Sequence, residues 1–368
     1  RLPPELRAHI ESVGLSFAYD EILKVIKSNG LNSESAYLSF QRRGRDTALR
    51  ARARSTIWAA FELYQQELQR SGRMEWHEAR LRALATLQQE PLDDPYDHVV
   101  IDEAQDLTAT HLRIAQQIMK GRVPSSAVQS LFLVGDVSQT LYTRGFSWRQ
   151  AGLQLQGRSS SLRRNFRNTK QIAEAAAALH AMNALAKQSE DYVPPEVTTR
   201  QGPRPIIIRC NVTDQERRAV REKMLELAAG NEFRISDFAI ICPTNTLCND
   251  MAVFLQGRDI PCMKHGETDF NILAESVKIL TIHSAKGLEF PVVFVLGLHK
   301  GTLPFYARGT DPEERAEQLE QQRTLLYVAM TRAAEVLYLV TSDEKPSCFL
   351  AEFSEFVRGE RFVGGKDK

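Results

Sequence analysis

Two segments of the sequence end an apolar run in carboxylates. The first is His98-Val-Val-Ile-Asp102-Glu103-Ala-Gln105-Asp106, and the second is Leu131-Phe-Leu-Val-Gly135-Asp136-Val-Ser-Gln139. A strand that delivers acids at its C-terminal end places them where open α/β sheets bind ligands. In nucleotide-hydrolysing motors an aspartate there holds magnesium, and the adjacent glutamate can orient and deprotonate a water as general base. Taken alone, the first segment reads equally well as an acidic helix start, with Asp and Glu placed for the helix dipole. The second segment favours the nucleotide reading, because a neutral amide such as Gln139 senses a terminal phosphate without adding charge. Tyr142, Phe146 and Trp148 follow closely, and aromatics there suit base stacking on single-stranded nucleic acid, worth about 1–3 kcal/mol per base. Core packing is the other reading of these rings, and for Trp148 alone it is the favoured one.

Strands and helices must hold these residues in place. Residues 1–90 are helical in pattern: within Ser55–Gln69 the apolar positions Ile57, Trp58, Phe61, Leu63, Tyr64 and Leu68 recur at helical spacing. A second helix is predicted from Glu75 to Gln88, stopped by the Pro91–Pro95 stretch. From residue 98 short apolar runs alternate with helical segments. The runs are His98–Ile101, Leu131–Val134, Pro205–Arg209, Phe238–Ile241, Val277–Ile282, Val292–Leu296 and Val336–Val340. Runs of this kind with helices between them predict an α/β fold of parallel sheets buried on both faces. The expected domains are a helical region over 1–90, part of a first α/β domain over 91–160, and a second over 161–368. The boundary falls where Gly and Ser cluster at Gly157–Ser161, and Val363–Lys368 reads as a frayed tail.

Composition excludes more than it identifies. The 368 residues are 43% hydrophobic and 25% charged, as in ordinary globular proteins, and no apolar run reaches membrane-spanning length. With 47 basic and 46 acidic residues, contact with nucleic acid must come from local patches. One patch is Arg42, Arg43, Arg45, Arg50, Arg52 and Arg54, and another is Arg158, Arg163, Arg164, Arg167 and Lys170. Such runs are most often solvated faces. On a protein that binds nucleic acid, phosphate contact by Arg50, Arg52 and Arg54 would be the favoured reading. Five cysteines without a CxxC pair argue against a disulfide framework or zinc site and fit a reducing cytoplasm.

Three further segments complete an ordered set. They are Leu162-Arg-Arg-Asn165-Phe166-Arg167-Asn168-Thr169, leading into a helix over Lys170–Lys187; Val277-Lys-Ile-Leu-Thr-Ile-His283-Ser284-Ala285-Lys286-Gly287-Leu288-Glu289-Phe290; and Glu320-Gln-Gln-Arg323-Thr-Leu-Leu-Tyr327-Val328-Ala329-Met330-Thr331-Arg332-Ala333. In order and spacing, the five segments over residues 98–333 resemble the superfamily 1 DNA helicases of the UvrD/Rep type. The resemblance implies RecA-like, P-loop NTPase sheets with an N-terminal helical accessory region. It implies ATP and Mg2+ as cofactors, single-stranded DNA and duplex junctions as partners, and 3′→5′ movement. Residue by residue, it implies that Asp102 holds magnesium, Glu103 activates water and Gln139 reads the γ-phosphate. Arg167 and Arg332, reaching in from the second domain, would neutralise charge on the phosphates as arginine fingers do. Glu289 would meet the ribose, with Asp136 and Gly287 also on the nucleotide side. Arg323 and Tyr327 stand equally as nucleotide-side residues or as helix packing. His283, Tyr142, Phe146 and Trp148 would couple the site to DNA. One departure from the family pattern is Arg144, where an aromatic is usual.

A phosphate-cradling GxxxxGK followed by Ser or Thr occurs nowhere in the 368 residues. In the resembled family it precedes the first acidic segment by a long interval, so the expectation is that it lies upstream of Arg1 and that this chain alone turns over little ATP. Only Thr268–Ser276 occupies the place where larger relatives carry a regulatory insertion. The alternative reading is a non-catalytic DNA-binding or regulatory module that kept the fold.

Overall fold

The computed structural model describes residues 3–13, 15–40, 51–119, 131–136, 151–153, 158–162, 164–183, 199–306 and 312–363. The chain divides into two compact units, one of residues 1–160 with 310–317 and the other of residues 161–309 with 318–368.

The first unit opens on helices α1 (Pro4–Val13) and α2 (Leu15–Glu21), a π-helical turn over Ile22–Lys27, then α3 (Glu34–Ser39), α4 (Ala51–Arg70) and α5 (Trp76–Gln89). Helical spacing brings Ile57, Trp58 and Phe61 to one face of α4, where they are buried with Ile10, Ile26 and Tyr37 in a core belonging to the helices alone. Tyr37 donates its hydroxyl to the buried Glu21 carboxylate at 3.1 Å, so that acid is not left unpaired in an apolar surround.

Strands β1 (Val99–Ile101) and β2 (Leu131–Leu133) pair in parallel, Val99 opposite Leu131. Helix α6 (Ala109–Gln117) covers one face through Leu112, against Leu131 and Leu133. The sequence predicts burial of both faces, and here the structure differs. Val100 is 71% and Phe132 63% exposed on the opposite face, and among the described residues the helix packed on the pair covers only one side.

The second unit holds α7 (Lys170–Ala181), β3 (Ile206–Cys210), α8 (Gln215–Ala229), β4 (Phe238–Cys242), α9 (Asn245–Gln256), β5 (Cys262–Lys264), β6 (Val277–Thr281), β7 (Phe290–Val295), the part of α10 (Pro312–Met330) from Gln318 onward, β8 (Ala333–Ser342) and β9 (Arg358–Arg361). Its seven strands run in the order β5-β6-β4-β7-β8-β3-β9, every neighbouring pair parallel. Central strands are buried on both faces, every residue of β4 included, and Phe294 stacks on Tyr338 with centroids 4.8 Å apart. Helix α7 ends at Ala181, short of the predicted Lys187. Asn183 then turns its amide onto the Thr324 hydroxyl at 2.9 Å. Among the described residues, no helix is long and apolar enough to cross a membrane.

Candidate nucleotide-hydrolysis site and nucleic-acid surface

In the first unit the chain leaves β1 and places Asp102 and Glu103 at its C-terminal end. Asp102 is exposed, and its Oδ1 accepts the Glu103 N–H at 2.8 Å. Glu103 adopts the left-handed conformation with φ 51, uncommon for a residue with a side chain. A tight turn, Ala104–Asp106, follows. The Ala104 N–H donates to the Val134 carbonyl and the Val134 N–H to the Ile101 carbonyl, both at 2.8 Å, which stitches this turn to the end of β2. Asp136 lies just beyond β2, exposed, with its N–H donated to Gln105 Oε1 at 3.0 Å. The structure therefore brings together Asp102, Glu103 and Asp136 with Gln105, a residue inside the quoted motif to which the sequence assigns no role. Its signal was weak, since an amide two residues past an acid is ordinary in a turn.

Magnesium fits this donor set. It takes hard oxygen ligands and is commonly held by one or two carboxylates, with phosphates and waters completing the octahedron. No group of three or more potential ligands is arranged around a point among the described residues, and such a site does not require one.

In the second unit Asn165 builds the turn that carries Arg167. Asn165 Oδ1 accepts the N–H groups of Arg167 at 2.9 Å and Asn168 at 3.1 Å, the side-chain-to-backbone closure that Asn favours in turns. Asn168 is buried and donates to the Thr331 and Ala333 carbonyls at 3.0 and 2.6 Å, fixing the turn to the start of β8. Arg167 Nε donates to Glu289 Oε2 at 2.6 Å. Phe166, next to Arg167 in the sequence, is 78% exposed, with the Arg164 guanidinium 5.9 Å from its ring centroid. Gly287 is exposed at φ 81, a backbone conformation that a side chain would strain.

Arg332, expected to face phosphates, is fully buried, donating to the carbonyls of Val328 and Leu288 at 3.0 and 3.2 Å and to the Thr331 hydroxyl at 3.1 Å. In this arrangement it clamps the loop around Gly287. Arg323 is buried, makes a two-pronged contact with Glu352 at 2.8 and 2.9 Å, and pairs with Glu320 at 2.5 Å. Tyr327 is buried against His180, ring centroids 4.7 Å apart. Of the two readings open for Arg323 and Tyr327, packing describes their surroundings.

His283 stays exposed in the tight turn after β6, where the Thr281 hydroxyl accepts the Ser284 N–H at 3.2 Å. Burial of part of the ring pushes its pKa below the ordinary imidazole value. His283 lines a cavity of about 470 Å³ with Thr244, Thr246, Phe305 and Gln322. The Gln322 amide holds the Phe305 backbone from both sides, at 2.6 and 2.7 Å. In the first unit Arg52 is exposed, with a 3.3 Å contact to His9. Arg54 departs from the expected phosphate-facing role: its guanidinium donates to the carbonyls of Tyr37, Leu38 and Phe40 at 3.1, 2.6 and 3.2 Å, closing the end of α3. Gln139, Tyr142, Phe146, Trp148 and Arg50 lie outside the described residues.

Parallel α/β sheets with acids at strand ends define an open α/β protein that binds ligands at the C-terminal ends of its strands. Residues 5–160 match the UvrD/REP helicase N-terminal domain, and residues 270–344 match the UvrD-like helicase C-terminal domain. The chain belongs to the UvrD/Rep-type helicase family. It is 36% identical over 106 residues to the ATP-dependent DNA helicase PcrA of Staphylococcus epidermidis and to that of Staphylococcus aureus, covering 24% of this chain and 14% of each relative. The PcrA of Leuconostoc citreum is 40% identical over 96 residues, covering 23% of this chain and 12% of the relative. The match thus spans only a small part of these relatives' length. A solved structure, the C-terminal domain of a possible DNA helicase from Lactobacillus plantarum WCFS1, is similar at 22% identity and a TM-score of 0.38, covering 53% of this chain and 98% of that one.

Proposed function

We propose that the complete protein is an ATP-dependent DNA helicase that hydrolyses ATP as it moves 3′→5′ along single-stranded DNA and opens duplex at junctions. The observation that carries this reading is the strand-end group Asp102, Glu103 and Asp136, with Gln105 joining Glu103 to the Asp136 backbone. Magnesium, when bound, supplies neutralising charge on the phosphates. Asp102 would hold it, Glu103 would take the proton from the attacking water, and Gln139 would sense the terminal phosphate. Asp136, Gly287 and Glu289 are assigned to the nucleotide, Arg167 to its phosphates, and exposed Phe166 to its base. His283 and Phe305, which line the same cavity, are assigned to single-stranded DNA together with Arg52, Arg50, Tyr142, Phe146 and Trp148. The five free thiols fit a reducing cytoplasm.

Since no phosphate-cradling loop lies among the 368 residues, we assign that role to residues beyond them and expect negligible turnover from the chain by itself. The test is strand separation by the complete protein on duplexes with a 3′ or a 5′ single-stranded tail. ATP-dependent opening of the 3′-tailed substrate alone supports the reading. Opening from the 5′ tail would contradict the direction, and no ATP-dependent opening of either would contradict the helicase assignment.

A further inference from the structure

We infer that Gln105 is the positioning residue of the hydrolytic site, orienting the Glu103 carboxylate and tying that orientation to the Gly135–Asp136 turn at the end of β2. The inference rests on the reading of Glu103 as the water-activating base. Gln105 is 2% exposed and uses its amide at both ends. Nε2 donates to Glu103 Oε2, and Oε1 accepts the Asp136 N–H at 3.0 Å. The partners fix which end is which, because an ionised carboxylate only accepts and a backbone N–H only donates. A primary amide satisfies both at once. A glutamate here would set a second negative charge against Glu103, and an aliphatic residue would leave the carboxylate and the N–H without these bonds.

Two further features converge on the same group. An ideal Cβ on Gly135 would lie 2.7 Å from Gln105 Oε1 and 3.2 Å from Gln105 N, so the approach that reaches Asp136 depends on glycine. Glu103 holds its left-handed φ of 51, and a backbone of that kind persists where the surroundings over-determine it. In the sequence, Gln139 follows the Gly135–Asp136 turn by three residues. A shift of that turn moves the Asp136 N–H, and through Gln105 it moves the carboxylate of Glu103. The base is in register only when the second strand end is in place.

The experiment measures single-stranded-DNA-stimulated ATP turnover and ATP affinity in the complete protein carrying Gln105→Ala, Gln105→Glu, Gly135→Ala or Glu103→Gln. Gln105→Ala is expected to lower kcat roughly 10–100-fold, the usual effect of removing a residue that orients a functional group. ATP affinity should change little, the split that marks loss of a transition-state contribution. Gly135→Ala, which pushes Gln105 from outside the amide, should reproduce the loss. Gln105→Glu, the same shape but with no N–H to donate to Glu103 when ionised, should lower kcat as Gln105→Ala does and again leave ATP affinity little changed. This variant keeps the shape of the side chain, and it decides the matter where Gln105→Ala fails to fold. Wild-type kcat in Gly135→Ala and in Gln105→Glu, while Glu103→Gln abolishes turnover, would overturn this inference and leave the hydrolytic reading standing. Wild-type turnover in Glu103→Gln would overturn that reading itself.

Discussion

Arg167 and Glu289, 122 positions apart in the sequence, meet at 2.6 Å and join the Asn165–Asn168 turn to the loop ahead of β7. The family resemblance sends one to the phosphates and the other to the ribose. Here each holds the other, which presets both side chains. The Arg167 side chain is 32% and the Glu289 side chain 60% exposed, so solvent screens the pair and it contributes at most about 1 kcal/mol to stability. Glu289→Ala in the complete protein should therefore shift unfolding by no more than that while weakening ATP binding several-fold. Thermal unfolding and nucleotide titration on the same preparation check both. Unchanged ATP affinity would remove Glu289 from the nucleotide side.

Arg323 presents the opposite case. Its guanidinium is nearly closed off and neutralises Glu352 and Glu320, themselves largely buried. Arg323→Ala leaves two carboxylates without their cation, and breaking such a pair costs about 3–5 kcal/mol. Denaturant unfolding is the measurement. A loss below about 1 kcal/mol would contradict the packing role.

Arg52 and Arg54 sit two residues apart and are expected to separate cleanly. Arg54→Ala removes three donors from the end of α3 and should destabilise the first unit by about 1.5–3 kcal/mol, the range for charged hydrogen bonds. Arg52→Ala should leave stability alone and reduce the log–log salt slope of single-stranded DNA binding by about 0.7, one phosphate contact. Salt titrations of both variants test this; an unchanged slope for Arg52→Ala makes it a solvated side chain.

The first unit should loosen in mild acid. Burial, reinforced by Arg80 and His77, holds the His111 imidazole down at about 4. Its Nδ1 sits 3.0 Å from the Thr108 N–H and accepts that hydrogen bond, standing where Glu or Gln completes a capping box. An unfolded histidine binds its proton near pH 6.5. As pH falls from about 6.5 to about 4 the unfolded state therefore holds more protons, and folded stability declines through that window. His111→Gln keeps the cap and removes the titration, so stability near pH 7 should hold while the decline flattens by about 1–3 kcal/mol. A variant as acid-sensitive as the parent would contradict the assignment.

Much of the second unit is legible in sequence because its central strands are fully buried. Phe238–Cys242 and Phe290–Val295 print as unbroken apolar runs. The edges are not legible. Cys262–Lys264 and Arg358–Arg361 are partly or largely exposed, and an edge strand with one neighbour has no need of an apolar run. In the first unit the same kind of run misleads, since Val100 and Phe132 face solvent. The strand-end acids are readable from residue type and spacing. Gln105 is not, because its role lies in a bond to the backbone of a residue 31 positions away. The burial of Arg332 is equally invisible, since motif spacing says nothing about which carbonyls a guanidinium reaches.

The central claim is that Glu103 activates the water that attacks ATP. The most direct measurement is steady-state ATP hydrolysis by the complete protein with saturating single-stranded DNA and magnesium, wild type against Glu103→Gln, alongside ATP affinity for each. The account predicts that turnover falls by about 10²–10⁴-fold, the contribution of a positioned general base, while ATP affinity is retained. Turnover near the wild-type rate, with the variant folded and binding ATP, would contradict it.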